Sequence, residues 1–191
     1  MKLVCYILVV TLLLGCSSNK AYTDQEDQAY LHLKEVVQSK KLEIHSSFAR
    51  PMATSSFMQV ANTGVLGSGN TATSIDISNN SNMFRILGDS ISGYFPYYGE
   101  QQFGGGYPGA NHQGIEFHDI PEDYVVSEND AKHFVQIQFK IDDEYRHNER
   151  YNVFITLFPN NRSSIQINST NRTTIEYSGT LKSLMEDKTR S

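Results

Sequence analysis

Lys132-His133-Phe134-Val135-Gln136-Ile137-Gln138-Phe139-Lys140-Ile141 alternates without a break. His133, Val135, Ile137, Phe139 and Ile141 fall on one side, and Lys132, Phe134, Gln136, Gln138 and Lys140 on the other. Successive side chains of a strand point to opposite faces, so a period of two with one dry side predicts a half-buried β-strand. The pattern continues downstream. Tyr151, Val153, Ile155 and Leu157 alternate with Asn152 and Thr156, Ile165 and Ile167 with Gln166 and Asn168, and Ile175 and Tyr177 with Thr174 and Glu176. Pro159-Asn160-Asn161-Arg162 and Ser169-Thr170-Asn171 between them are turn chemistry, since asparagine tolerates positive φ. Residues 132–178 therefore read as a four-stranded antiparallel meander, with residues 142–149 as a longer charged loop.

Working upstream, strands are predicted at 43–49, 72–78, 83–87, 90–95, 114–118 and 122–127. Short strands with turn signals between them indicate a sandwich or barrel, and no long helical pattern separates them as a parallel sheet would need. The expected fold is mainly β: a curved antiparallel sheet closing, or nearly closing, into a small barrel. One helix precedes it. Thr23-Asp24-Gln25-Glu26 is a capping box, and Ala29, Leu33, Val36 and Val37 form an apolar stripe at helical spacing. This N-terminal amphipathic helix is predicted to run to about Lys41, with Lys40-Lys41 in a last turn that favours cations.

The front of the chain carries an address. Met1-Lys2 is followed by an apolar run from Leu3 to Leu14, too short for a helix to span a bilayer core of about 30 Å. It suits the apolar region of a signal peptide. The run ends in Leu13-Leu14-Gly15-Cys16, which resembles the bacterial lipobox, where the cysteine is lipidated and becomes the mature N-terminus. The expected organisation is a lipoprotein signal peptide at 1–15, a tether at 16–22, a single β-rich domain at 23–184 and a frayed tail at 185–191. Of the 2 cysteines, Cys5 lies in the segment removed and Cys16 carries lipid, so no disulfide supports the domain. Acyl chains at Cys16 hold such a protein at a membrane without a spanning helix. Ser17 after the cysteine is not the aspartate of inner-membrane retention, and acid first appears at Asp24. The expected location is the outer membrane, facing the periplasm, with the cell surface as the rival face.

Composition excludes several classes. Among 191 residues, 16 Lys and Arg oppose 21 Asp and Glu, a net charge of -5 that lacks the basic footprint of a nucleic-acid binder. Aromatic residues make up 11%, ample core material, which argues against wholesale disorder.

Three stretches together resemble a known family. They are Gly88-Asp89-Ser90 running into Phe95-Pro96-Tyr97-Tyr98-Gly99, then Gly114-Ile115-Glu116-Phe117, then Asn171-Arg172-Thr173 through Ile175, Tyr177 and Gly179. Their order is similar to that in the Bacteroidetes lipoprotein family catalogued as domain of unknown function 4251. That family has a Leu-Pro-Tyr-Phe-Gly motif after a strand, and an Asn-Arg segment before a last strand ending in Tyr-x-Gly. Here Phe95 replaces the leucine, Tyr98 the phenylalanine, and Asn160-Asn161 a frequent glycine and alanine. The resemblance covers residues 45–182. It implies a β-rich fold of lipocalin-like topology and an envelope address, and no activity.

The segment from Pro96 to Gln113 stands out. Tyr97, Tyr98, Phe103 and Tyr107 are interleaved with Gly99, Gly104, Gly105, Gly106 and Gly109. A long loop carrying amphipathic rings on a flexible backbone suits contact with an envelope protein or a glycan. The competing reading makes Tyr97 and Tyr98 a plug for one barrel end. Catalytic signals are missing: no Gly-x-Ser-x-Gly elbow is present, and Glu122-Asp123 and Asp142-Asp143 read as solvated turn charges. The glycine clusters lack the Lys-Ser/Thr of a phosphate loop, so no nucleotide cofactor is expected. Glu116 and His118 share a strand face near His112 and Asp119, fewer ligands than a metal site needs in one place. The sequence therefore predicts an outer-membrane-anchored periplasmic lipoprotein acting as a non-catalytic binding or scaffolding module. An envelope hydrolase acting on glycans or peptidoglycan is the alternative.

Overall fold

The computed structural model describes residues 22–102, 113–146 and 148–185. The predicted signal segment, Cys16 and most of the tether lie outside these residues, as do Phe103, Tyr107, His112 and the tail beyond Met185. Helix α1 (Asp24–Gln38) leads into β1 (Lys41–Pro51), α2 (Ser55–Ala61) and β2 (Ile75–Asp76). Then follow β3 (Met83–Leu87), β4 (Ser90–Phe95), β5 (Ile115–Asp119), β6 (Glu122–Asn129), β7 (Phe134–Asp142), β8 (Arg150–Leu157), β9 (Arg162–Ser169) and β10 (Ile175–Ser183).

All described pairings are antiparallel and form one sheet in the order β5-β4-β3-β1-β10-β9-β8-β7-β6, with β2 pairing β1 off this path. The sheet curls into a half-barrel around a core that includes Phe84, Phe95, Phe117, Phe139, Tyr151 and Tyr177. Its edge strands, β5 and β6, are consecutive in the chain, and no ladder joins them. On that side Ile120-Pro121 links β5 to β6 in the chain, and the Glu144 N–H, just past β7, donates to the Glu116 carbonyl of β5 at 2.8 Å. The predicted meander is present as β7 to β10, and β6 extends it by a hairpin.

Helix α1 begins as expected. The Thr23 hydroxyl accepts from the Glu26 N–H at 3.3 Å, and the Glu26 carboxylate accepts from the Thr23 N–H at 2.9 Å. It buries Tyr30, Leu33, Val36 and Val37, so Tyr30 takes the place predicted for Ala29. The helix stops short of Lys41. Ser39 caps it, Lys40 turns back at φ 51, and Lys41 already belongs to β1, leaving no basic residue in the last turn. A left-handed residue lets the chain reverse within one position. The Tyr30 hydroxyl donates to Asp130 at 3.1 Å, and Lys34 pairs with Asp130 and Glu128 at 2.7 and 2.8 Å. These contacts seat α1 over the β6–β7 turn.

Three further expectations are corrected. The strand predicted at 72–78 is two residues long: it pairs only with Phe48 and Ala49 of β1, and Asn82 takes over the pairing at Ser46. Asn82 accepts from the Ser46 N–H at 2.8 Å and donates to the Ser46 carbonyl at 2.9 Å, as a strand neighbour would. A second helix, α2, follows β1; Thr54 caps it and Phe57 is its buried residue. His133 precedes β7 at φ 50 instead of lying on its dry face, and its ring is held between Tyr22 (centroids 3.5 Å apart) and Tyr30 (4.6 Å).

Candidate functional site

The end of the half-barrel away from α1 gathers the start of β5, β8 and β10 and the end of β4, β7 and β9. There the chain buries charge. The residue after β7, Asp143, and the residue before β8, Glu149, are 5% and 1% exposed, and Arg172, ahead of β10, is 5% exposed. Asp143 was expected to be solvated; the structure buries it because its oxygens replace backbone partners in the tight return. One accepts from the N–H groups of Tyr145 and Arg146 at 2.9 and 2.7 Å, and the other from the Tyr151 hydroxyl. Its neighbour Asp142 is exposed as expected, paired with Arg150 at 2.6 Å. Glu122 and Asp123 are likewise exposed and pair with Arg150 and Lys140.

Glu149 is the hub. Its carboxylate lies 2.8 Å from Arg172 Nε and 3.3 Å from Arg146 Nη1, and it accepts from the Ser169 hydroxyl at 2.7 Å. Burial pushes its pKa up, against the pull of Ser169 and Arg146. Burial, with the Asp143 and Glu149 charges, pushes the Tyr151 phenol far up, so it stays a neutral donor. Arg172 Nη1 donates to the carbonyls of Gln113 and Gly114 at 3.2 and 2.8 Å. Its Nη2 is buried without a hydrogen-bond partner among the described residues.

Tyr97 covers this cluster. Its ring lies 4.9 Å from the Arg172 guanidinium. Its hydroxyl is 2.9 Å from the Thr173 hydroxyl and 3.1 Å from the carbonyl oxygens of Thr173 and Glu100. Burial raises the Tyr97 pKa, moderated by Thr173; burial alone raises that of Tyr98, which packs against the core edge. Gly99 permits the approach: a Cβ there would sit 2.6 Å from the Tyr97 hydroxyl oxygen and 2.7 Å from that of Thr173. Gly114 is constrained in the same way, with the Phe95 carbonyl oxygen 2.6 Å from where its Cβ would be. The Tyr177 hydroxyl donates to the Pro96 carbonyl at 2.9 Å, and its ring stacks on Phe95 at 4.6 Å. Parts of all three stretches singled out in the sequence, residues 95–99, Gly114 and residues 171–173, thus meet in one knot, while Gly88 and Asp89 lie at the other end beside Lys40.

The knot controls where residues 103–112 leave and return. On the outgoing side the Gln102 N–H donates to the Asn171 carbonyl at 2.7 Å, and the Thr173 N–H to the Glu100 carbonyl at 3.0 Å. On the returning side Arg172 holds Gln113 and Gly114. Tyr97 and Tyr98 are therefore placed at the base of the loop, while Phe103 and Tyr107 lie outside the described residues. Chemically, the two buried carboxylates have their oxygens engaged and their side chains 2% and 0% exposed, an arrangement that fixes backbone. Sequence reading missed Glu149, Arg146 and Tyr151, because a charged loop between strands looks the same whether its carboxylates face water or a buried guanidinium. Arg172, inside the Asn-Arg stretch, was the available signal. Glu116 and His118 share the outer face of β5, and no group of three or more metal-ligating side chains converges among the described residues.

The family profile described as Domain of unknown function (DUF4251) matches residues 24–181. The chain is also similar to a crystal structure of a DUF4251 family protein from Bacteroides eggerthii DSM 20697, with a TM-score of 0.53 and 16% identity over 87% of this chain and 97% of that one. At that identity the likeness shows the fold. A comparison with curated proteins finds no match.

Proposed function

The chain belongs to the DUF4251 family of domains of unknown function, and from that premise we propose that it is an outer-membrane-anchored periplasmic lipoprotein working as a non-catalytic binding or scaffolding module. Cys16 carries the lipid and the segment 103–112, with Phe103 and Tyr107, is the contact surface. The observation that carries this reading is Arg172: its Nε engages the buried Glu149 carboxylate while its Nη1 holds Gln113 and Gly114, where residues 103–112 return. The layout supports it too. Tyr22, the last residue of the predicted tether, stacks on His133 at the α1 end, while the loop base sits at the opposite end, so a membrane at one end leaves the other open to a partner.

Two measurements test the proposal. Palmitate labelling is expected for the wild type and lost in Cys16→Ser; equal labelling would refute the anchor. Phe103→Ala with Tyr107→Ala is expected to leave the melting temperature nearly unchanged yet remove partners from a crosslinking pull-down of envelope extracts. An unchanged pull-down profile would refute the contact surface.

A further inference from the structure

The outer face of the half-barrel carries a second arrangement, remote in chemistry from the charged knot. Strand register aligns Phe48, Ser178, Ser164, Thr156 and Gln136 in one row across β1, β10, β9, β8 and β7. The next row is Arg50, Glu176, Gln166, Phe154 and Gln138. Apart from Arg50 and Glu176, which lie 3.4 Å apart, both rows are hydroxyls, amides and two phenyl rings. Those rings are 42% and 37% exposed, for Phe48 and Phe154, among the described residues.

Beside the first row the face deepens into a groove of about 380 Å³. Its floor is β10, at Glu176, Ser178, Gly179 and Thr180, where only Glu176, paired with Arg50, rises above a hydroxyl. One wall is Phe48 and Arg50 on β1; the other is Phe158 and Arg162 at the β8–β9 turn. The walls stand two strand spacings apart, roughly 9–10 Å, and the volume is that of a small-ligand site.

We propose that this groove and the adjoining face bind an extended, uncharged glycan chain. Sugar hydroxyls both donate and accept, and amide and hydroxyl side chains answer both. The apolar C–H faces of sugar rings need flat apolar partners, which Phe48 and Phe154 supply about three strand spacings apart. Other ligand classes fit less well. An extended peptide would bind by adding a strand, but β8, β9 and β10 are each paired on both sides. A polyanion would want more than two arginines, one of which faces Glu176. A lipid surface would want an apolar patch instead of amides.

The test is calorimetric titration of the folded domain with neutral hexasaccharides of β-1,4-glucose, β-1,4-N-acetylglucosamine and α-1,4-glucose. Saturable binding to at least one of them, insensitive to salt, is expected. Phe48→Ala and Phe154→Ala, each first shown by its melting temperature to be folded, should each weaken it by roughly tenfold, the scale of one lost aromatic contact. Val65→Ala, exposed on the segment after α2, should change nothing. Failure of all three sugars to bind, equal binding by the Phe variants, or binding only to dextran sulfate that disappears in salt would each overturn the proposal.

Discussion

Arg172 divides its guanidinium between a side-chain charge and two backbone carbonyls, and this decides how it responds to substitution. Nε serves Glu149 and Nη1 serves Gln113 and Gly114. A lysine offers one point charge on a flexible stem and cannot do both. Arg172→Met takes from the buried Glu149 carboxylate its nearer cation, leaving Arg146 and Ser169; breaking a buried pair typically costs about 3–5 kcal/mol, and Arg172→Lys should recover little of it. Glu149→Gln leaves the guanidinium short of its partner and is expected to be costly too. The double variant Arg172→Met with Glu149→Gln should cost clearly less than the two single changes combined, since neither charge then remains. Urea unfolding of the four proteins measures this; strict additivity would mean that the pair does not act as a unit.

At the scale of elements, the register between β1 and β10 depends on a glycine at the bulge. A Cβ on Gly179 would lie 2.0 Å from the His45 carbonyl oxygen and 2.6 Å from the Ser46 Cα, both backbone atoms that cannot swing aside. Gly179→Ala should therefore cost about 3 kcal/mol or more, the upper end of overpacking. Gly88, in the β3–β4 turn, provides the contrast. It needs φ 63 but has nothing within 4 Å of its Cβ position, so Gly88→Ala should cost only about 1 kcal/mol of backbone strain. A larger loss at Gly88 than at Gly179, read from urea midpoints at equal slope, would show the bulge to be softer than its geometry.

The whole molecule is laced by carboxylates whose partners lower their pKa. Lys40 does this for Asp89, Lys140 for Asp123, Lys34 and then Tyr30 for Asp130, and Arg150 for Asp142. Ser78 does so for Asp76. At Glu43 burial opposes ionisation, but Arg85 and His45 outweigh it. A lowered folded pKa gives stability that is present above the ordinary carboxylate range and is lost as pH falls through the folded values. Glu149, raised by burial, has the opposite sign: its contribution is present in acid and lost as pH rises through its folded value. With six groups against one, the urea midpoint should hold level from neutral pH to about 5 and fall steadily below about 4, less steeply in high salt, because most of the pairs are exposed. A midpoint that rises on acidification would show Glu149 dominating.

What the sequence by itself determined is what local periodicity and local chemistry encode. The alternation in β7 and β8, the Asn161 turn at φ 62 and the Thr23 capping box each depend on residues within a few positions of one another. Each was legible for that reason, as was the family through its three motifs. Only the tertiary structure decided the rest. That β1 lies between β3 and β10, that Asn82 fills the gap at its bulge, and that Glu149 meets Arg172 all depend on which distant strands become neighbours. A charged or amide side chain has the same local signature in water, in a buried ion pair or on an open ligand face. Its role follows from what the curl of the sheet brings against it, and that curl arises from the summed twist and packing of the whole sheet, not from any one segment.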